Sequence, residues 1–112
     1  MDQGDFDIEI RDTSVVLRPT MPSLMEAGQI EAFEKIGKAQ VQPGHTSLII
    51  DFANVQYVSS RLVGALLSLR KASVAAGGTV TLVGMNVALL ELVKLVRLDK
   101  MFAIKPTRSA AA

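Results

Sequence analysis

Two adjacent serines, Ser59 and Ser60, stand where an apolar run gives way to a second apolar stretch with helical spacing. A serine at the start of a helix can act as an N-cap, because its hydroxyl oxygen can accept a hydrogen bond from an unpaired backbone amide. The same position can carry a phosphate, because the positive end of the helix dipole tolerates the added negative charge. The residues alone leave both interpretations open: a plain cap, or a regulated contact with a partner.

Asp51 ends a buried apolar run and invites a catalytic interpretation. General acid–base catalysis by a carboxylate needs a paired acid, a histidine or a metal ligand, and none stands near Asp51 in the sequence. The one histidine, His45, follows Pro-Gly, and a lone loop histidine is most often solvated. We therefore expect no enzyme activity, no cofactor and no metal site. We expect Asp51 and Asn54 to shape the loop that precedes the serines.

Length and charge set the broad class of the protein. The 112 residues suit one domain with its own core, and we interpret residues 1–112 as that domain, with frayed ends at 1–4 and 108–112. A net charge of +1 argues against a nucleic-acid binder that depends on phosphate contacts. The absence of cysteine excludes disulfides, and the acidic start does not resemble a signal peptide, so we expect a cytoplasmic protein.

The first half of the chain predicts a hairpin, a helix and a buried strand. Phe6, Ile8 and Ile10 alternate with acidic residues, which is typical of a half-buried strand. The stretch from Ser23 to Glu26 has the spacing of a capping box, so we expect a helix to begin there. The nearly continuous apolar run Ser47 to Phe52 favours a strand that is buried on both faces.

The second half predicts helices and strands in alternation. A helical stripe from Leu62 is stopped by the glycine pair Gly77-Gly78, and a β-branched strand follows. Asn86 is typical of the cap of a third helix, and Phe102 to Ile104 suits a last short strand. The glycines in Ala72 to Leu90 interrupt the longest uncharged run, so we expect no direct membrane insertion. The order β-β-α-β-α-β-α-β predicts a small α/β domain, a mixed sheet with helices packed on it.

The ordered motifs of residues 46–105 resemble the STAS domain of anti-sigma factor antagonists. In that family a strand ends in an aspartate, here Asp51, and an Asp-Ser-Ser-Gly-Leu type motif then opens a helix. A Gly-Gly turn follows, then a strand that ends in a glycine, as Thr79 to Gly84 does here. Leu98 to Phe102 matches the ending of the family pattern.

The resemblance implies a protein-interaction module that regulates transcription by partner switching. Such a domain binds an anti-sigma factor that is also a serine kinase, and serine phosphorylation releases it. The implied phosphoacceptor is Ser59, with Ser60 as second choice, and a serine phosphatase would restore the free form. The expected partner surface comprises Ser59, Ser60, Arg61 and Leu62, with Gly64 allowing a close approach.

Two neighbours of the serines depart from the family motif and keep alternatives open. Val58 replaces the family's aspartate, and Arg61 replaces its glycine. These changes favour a STAS module that is not phosphorylated, either a scaffold or a subunit of a lipid-transport ATPase. A small enzyme or ligand-binding domain using Asp51 and the two serines is a further alternative, although no base for serine activation stands nearby.

Overall fold

The computed structural model describes residues 6–41 and 47–105. The expected frayed ends, 1–4 and 108–112, and the loop histidine, His45, lie outside these residues. No helix among the residues described is long and apolar enough to cross a membrane.

Residues 6–41 and 47–105 form seven strands and three helices in one α/β arrangement. The strands are β1 (Phe6–Arg11), β2 (Ser14–Pro19), β3 (Ser23–Leu24), β4 (Ser47–Asp51), β5 (Tyr57–Val58), β6 (Thr79–Val83) and β7 (Ala103–Lys105). The helices are α1 (Ala27–Gln40), α2 (Arg61–Ala75) and α3 (Val87–Leu95), and a single 3-10 turn (Leu98–Lys100) follows α3. The predicted order of elements is confirmed. The strands β3 and β5 were not predicted. Each has only two residues, which is too short for a periodic pattern in the sequence.

Five strands form the main sheet in the order β1-β2-β4-β6-β7. Strands β1 and β2 are antiparallel, and all other neighbours in this sheet are parallel, so the sheet is mixed as expected. Strands β3 and β5 form a separate parallel pair. The helices α2 and α3 each connect two parallel strands, so both helices begin at the edge of the sheet where β4 and β6 end.

The core joins one face of the sheet to all three helices. Alternate residues of the strands and one stripe of each helix pack into a single apolar cluster, which includes Leu17, Ile50, Leu82, Phe33, Leu66 and Leu89. The aromatic rings of Phe6, Phe33 and Phe52 form a tilted series through it, with centroids 6.2 and 6.5 Å apart. This burial fixes the height of each helix above the sheet and therefore the place where each helix starts.

The capping box predicted at Ser23 is wrong. Ser23 and Leu24 form β3, which pairs with β5, and the Leu24 side chain is fully buried. The N-cap of α1 is Glu26, which forms a capping box with Gln29: the Glu26 amide donates to Gln29 Oε1 at 3.1 Å. The capping-box motif at Ser23 lies three residues before the actual N-cap. Helix α1 starts later because Leu24 is buried as part of a strand.

Candidate functional site

The loop from β4 to α2 begins at Asp51, whose carboxylate is held from two sides. Its Oδ1 accepts a hydrogen bond from the Ala53 amide at 2.9 Å. Its Oδ2 accepts one from Arg18 Nε on the neighbouring strand at 3.1 Å. Arg18 also approaches Glu9 of β1, with 3.8 Å between Nη2 and Oε1. Asp51 is buried, so the ion pair fixes the start of the loop in a site that water hardly reaches.

The rest of the loop is tied to the segment before α1 and to the start of α3. The amides of Gln56 and Tyr57 both donate to the Pro22 carbonyl, at 2.7 and 3.1 Å. The Ser59 amide donates to the Leu24 carbonyl at 3.4 Å. Asn86 Nδ2 donates to the Gln56 carbonyl at 3.3 Å. These contacts place the serine pair between the segment that precedes α1 and the start of α3.

Asn54 and Asn86 behave differently in this region. Asn54 is exposed, and its side chain makes no hydrogen bond to the residues that the structure describes. Asn86 caps α3 as predicted, since its Oδ1 accepts from the Leu89 amide at 2.9 Å. It also holds the loop, which the sequence did not indicate.

The two serines differ in the accessibility of their hydroxyl groups. Ser60 is exposed and occupies the N-cap position of α2, but its side chain makes no capping hydrogen bond. Less than 1 Å² of the Ser59 Oγ surface is exposed, and this atom has no hydrogen-bond partner among the described residues. The exposed hydroxyl at the start of α2 is therefore that of Ser60, and that of Ser59 is covered by its surroundings.

The other expected contact residues occupy different surroundings. Leu62 lies in the core at 4% exposure and packs α2 onto the sheet. Gly64 is exposed, and a Cβ placed on it would have no atom within 4 Å. Glycine costs about 1 kcal/mol against alanine inside a helix, and no packing contact requires it here. Open space above Gly64 is therefore available to a partner.

Arg61 faces a charged depression on the side of α2 next to α1. The depression has a volume of about 460 Å³ and is lined by Arg61, Glu31, Glu34, Lys35 and Lys38. Glu34 is engaged by Lys38 Nζ at 3.0 Å and by the hydroxyl of a serine on α2 at 3.1 Å. The hydrogen bond from Lys38 is the main reason that the pKa of Glu34 is lowered. Arg61 and Lys35 form no ion pair with the residues described.

An apolar groove that the sequence analysis missed runs along the other side of α2. It lies between α2, β5 and α3, and we call it the α2–α3 groove; its lining includes Met25, Tyr57, Val58, Val63, Leu89 and Leu92. The signal in the sequence was the apolar stripe of α3, which is wider than one buried face requires.

The described part of the chain shows no cluster of three or more His, Cys, Asp or Glu residues that would hold a metal ion. Both carboxylate oxygens of Asp51 are engaged by the loop and by Arg18. The site is thus a surface built from a helix start, a charged depression and an apolar groove.

Comparison with known proteins identifies the family. The family profile described as the STAS domain matches residues 5–111. The chain belongs to the STAS domain family. Among curated proteins, no sequence matches it. The Arg18–Asp51 pair, the serine pair and the groove all lie within the matched residues.

Solved structures share this STAS fold at low sequence identity. An anti-sigma-factor antagonist (STAS) domain protein from Planctomyces limnophilus superposes with a TM-score of 0.84 at 17% identity, covering 98% of this chain and 96% of that one. The Bacillus cell fate determinant SpoIIAA in its phosphorylated form gives 0.73 at 19% identity, covering 95% of each chain. The murine anion transporter Slc26a9 gives 0.71 at 18% identity, covering 88% of this chain and 17% of the transporter.

Proposed function

We propose that this STAS domain is an anti-sigma factor antagonist. It binds an anti-sigma factor that has serine kinase activity, and phosphorylation of a serine at the start of α2 releases it. The observation that carries this proposal is the exposed hydroxyl of Ser60, free of any capping bond at the first position before a helix. Membership of the family and the likeness to anti-sigma factor antagonists support the interaction role.

The geometry supports Ser60 as the acceptor, although the motif alone predicts Ser59. A kinase must bring the γ-phosphorus of ATP against the serine oxygen, so the oxygen has to be accessible. Ser60 offers this in the folded domain, whereas the Ser59 hydroxyl is covered. Phosphorylation of Ser59 would require a change of its rotamer or an opening of β5 from β3. The kinase would supply ATP and magnesium.

A phosphate at this position would change the surface without unfolding the domain. The backbone amides at the start of α2 and the positive end of its dipole tolerate negative charge. A partner packed over Ser60, Arg61 and Gly64 would meet about −1.5 to −2 added charges, which it would have to desolvate or repel. Leu62 would support this surface from below, as part of the core.

The test is to map the modification. The purified protein is incubated with host lysate and ATP, and its intact mass and phosphopeptides are measured. We expect one phosphoryl group that is lost in Ser60→Ala and kept in Ser59→Ala. The opposite result would assign Ser59, and loss in neither variant would place the phosphate elsewhere. Absence of modification, while a control substrate is phosphorylated, would overturn the switch.

A second candidate is a STAS module that is never phosphorylated, as a scaffold or as a subunit of a lipid-transport ATPase. The observation that favours it is the pair of replacements, Val58 and Arg61, beside the serines. The presence of the same fold in an anion transporter is consistent with such a role. This candidate predicts a stable complex whose affinity is the same with and without ATP. Both candidates are non-enzymatic interaction roles, and the first places the protein in the cytoplasm.

A further inference from the structure

The charged depression lies between two facing stripes of α1 and α2. Ser68 of α2 donates from Oγ to Glu34 Oε2 at 3.1 Å, and this contact fixes which sides of the two helices face each other. Gly64 and Arg61 precede Ser68 by one and two turns, at the i−4 and i−7 positions of the same helix face. The depression therefore runs from the Ser68–Glu34 contact toward the start of α2, where Ser60 lies.

Small residues keep this space between the helices open. A Cβ placed on Gly64 would have no atom within 4 Å, and Ala27 of α1 forms part of the opposite wall. Apart from proline, glycine is the weakest helix former, and no packing contact requires it at position 64. A glycine at this place suits a surface that a group from outside enters, because any larger side chain would occupy the space.

The charges that line the depression leave one cation in excess. Three cationic and two anionic side chains line it: Arg61, Lys35, Lys38, Glu31 and Glu34. Lys38 and Glu34 neutralise each other, with 3.0 Å between Nζ and Oε2. Glu31 can neutralise Lys35, because it lies four residues before Lys35 on the same helix. Arg61 then has no carboxylate left in the depression, and it forms no ion pair with the residues described.

The free positive charge of Arg61 selects a carboxylate. A guanidinium group binds a carboxylate through two parallel hydrogen bonds, and Arg61 is exposed to an incoming protein. A basic side chain would add to the excess of positive charge, and an apolar one would cover Arg61 without neutralising it. Nucleic-acid phosphates are an unsuitable source, because the whole chain has a net charge of only +1. The group that fits is therefore an Asp or Glu side chain of a partner protein.

We propose that the charged depression receives an Asp or Glu side chain of the partner protein, bound by Arg61, and that a phosphate on Ser60 displaces it by binding Arg61 instead. The inference rests on the proposed function, because it assigns the carboxylate to the protein that the serine switches. Arg61 directly follows Ser60, so a phosphate on Ser60 lies within reach of the long arginine side chain. A group held in the same chain acts at a high effective concentration, and a phosphate carries more charge than a carboxylate. Release of the partner thus has a local cause at Arg61.

The first experiment identifies the protein that enters the depression. The photo-crosslinking residue p-benzoylphenylalanine replaces Ala27 in the full chain, and the crosslinked peptide is sequenced after irradiation of host cells. The matched control carries it at Ala75, an exposed alanine at the end of α2. We expect an adduct at position 27 to another protein, through a segment that contains Asp or Glu. An adduct to a second copy of this chain, or no adduct beyond those of the control, overturns the inference.

The second experiment tests the charge of Arg61 and the space beside Gly64 separately. The crosslinked partner is titrated with Arg61→Gln, Gly64→Leu and the control Lys71→Gln, which removes an exposed cation of α2 outside the depression. We expect about tenfold weaker binding for the first two variants and unchanged binding for the control. Gly64→Leu should also raise the melting temperature, because leucine favours a helix more than glycine does, so unfolding cannot explain its loss of binding. Wild-type binding by either variant, or an equal loss in Lys71→Gln, contradicts the inference.

A charge exchange identifies the partner's carboxylate. Arg61→Glu is expected to weaken binding by about a hundredfold, because two carboxylates would then face each other. Each Asp and Glu of the crosslinked segment is replaced in turn with lysine, and one of these replacements should restore binding to Arg61→Glu. Restoration by none of them would exclude a direct pair between Arg61 and a carboxylate.

Phosphoserine encoded genetically at position 60 tests the displacement without the kinase. Partner binding is compared with and without this phosphate, in the wild type and in Arg61→Gln. We expect the phosphate to weaken binding by about a hundredfold in the wild type and by clearly less in Arg61→Gln, because that variant has no guanidinium group for the phosphate to occupy. Equal losses in the two backgrounds would overturn the displacement.

Phosphate mapping in host lysate separates this inference from the proposed function. A partner carboxylate at Arg61, with no phosphorylation of Ser60 by the lysate, would support the depression as a docking site and overturn the switch. Phosphorylation of Ser60, with no carboxylate at Arg61, would support the switch and overturn the docking site.

Discussion

Gly84 lies directly against the carboxylate of Asp51: a Cβ built on Gly84 would come 2.7 Å from Asp51 Oδ1. The two strand ends meet because the Phe52 amide donates to the Val83 carbonyl at 2.9 Å. Gly84 also has a positive φ of 72°, a conformation that L-residues with a side chain rarely adopt. The loop toward the serines thus starts at a contact between Asp51, which ends β4, and Gly84, which follows β6 and leaves room for the carboxylate.

Replacing Gly84 with alanine tests this contact. Gly84→Ala is expected to lower the free energy of unfolding by about 2–4 kcal/mol, because left-handed strain of about 1–2 kcal/mol adds to displacement of the Asp51 carboxylate. Gly77→Ala is the matched control, since Gly77 has φ of 82° and no atom within 4 Å of an added Cβ. Urea unfolding measures both. Equal losses in the two variants would mean that only backbone strain matters.

The serine pair yields a prediction about capping. Ser59→Ala is expected to leave the free energy of unfolding unchanged or to raise it by about 1 kcal/mol, because the buried Ser59 hydroxyl has no hydrogen-bond partner in the part of the chain that the structure describes. Ser60→Ala is expected to change it by less than about 0.5 kcal/mol, since its side chain makes no capping bond. Loss of an N-cap typically costs about 1 kcal/mol. A loss of that size in Ser60→Ala, measured by urea unfolding, would identify the serine as a cap.

The sequence predicted the order of elements because each long element carries a strong periodic signal. The strand that begins at Ser47 and the cap at Asn86 were therefore placed correctly. The expectation that this strand is buried on both faces is wrong, because Ile49 is only half-buried on the face opposite the helices. The Ser23 capping box failed because long-range pairing of β3 with β5 overrode a local motif. The covered Ser59 hydroxyl and the α2–α3 groove depend on contacts between elements distant in sequence, which periodicity does not report. The family motif located the serine pair, but it did not indicate which of the two hydroxyl groups is exposed.

The ion pair between α1 residues Glu34 and Lys38 predicts an acid-dependent loss of stability. The hydrogen bond from Lys38 lowers the pKa of Glu34 from its ordinary value of 4.5, with a smaller contribution from Ser68. A carboxyl group with a lowered pKa in the folded state stabilises above its unfolded pKa, and this stability is lost as pH falls through the folded pKa. The contribution is below about 1 kcal/mol, because the pair is exposed to solvent.

The variant Glu34→Gln removes that dependence. Its free energy of unfolding is expected to fall less steeply than that of the wild type between about pH 5 and pH 3. Glu31→Gln is the matched control, because Glu31 is exposed on the same helix and has no ion pair among the residues described. Chemical unfolding across this pH range measures the slopes. Parallel curves for Glu34→Gln and the wild type would show that the pair contributes nothing.

The end of α3 offers a gain in stability. Arg97 follows Val96, the C-cap of α3, in a left-handed conformation with φ of 63°, where glycine is preferred. Arg97→Gly is expected to raise the free energy of unfolding by about 1 kcal/mol, whereas Arg97→Ala keeps a Cβ and should gain little. Thermal unfolding of both variants measures the difference. Equal melting temperatures for the two variants would show that the left-handed conformation of Arg97 costs nothing.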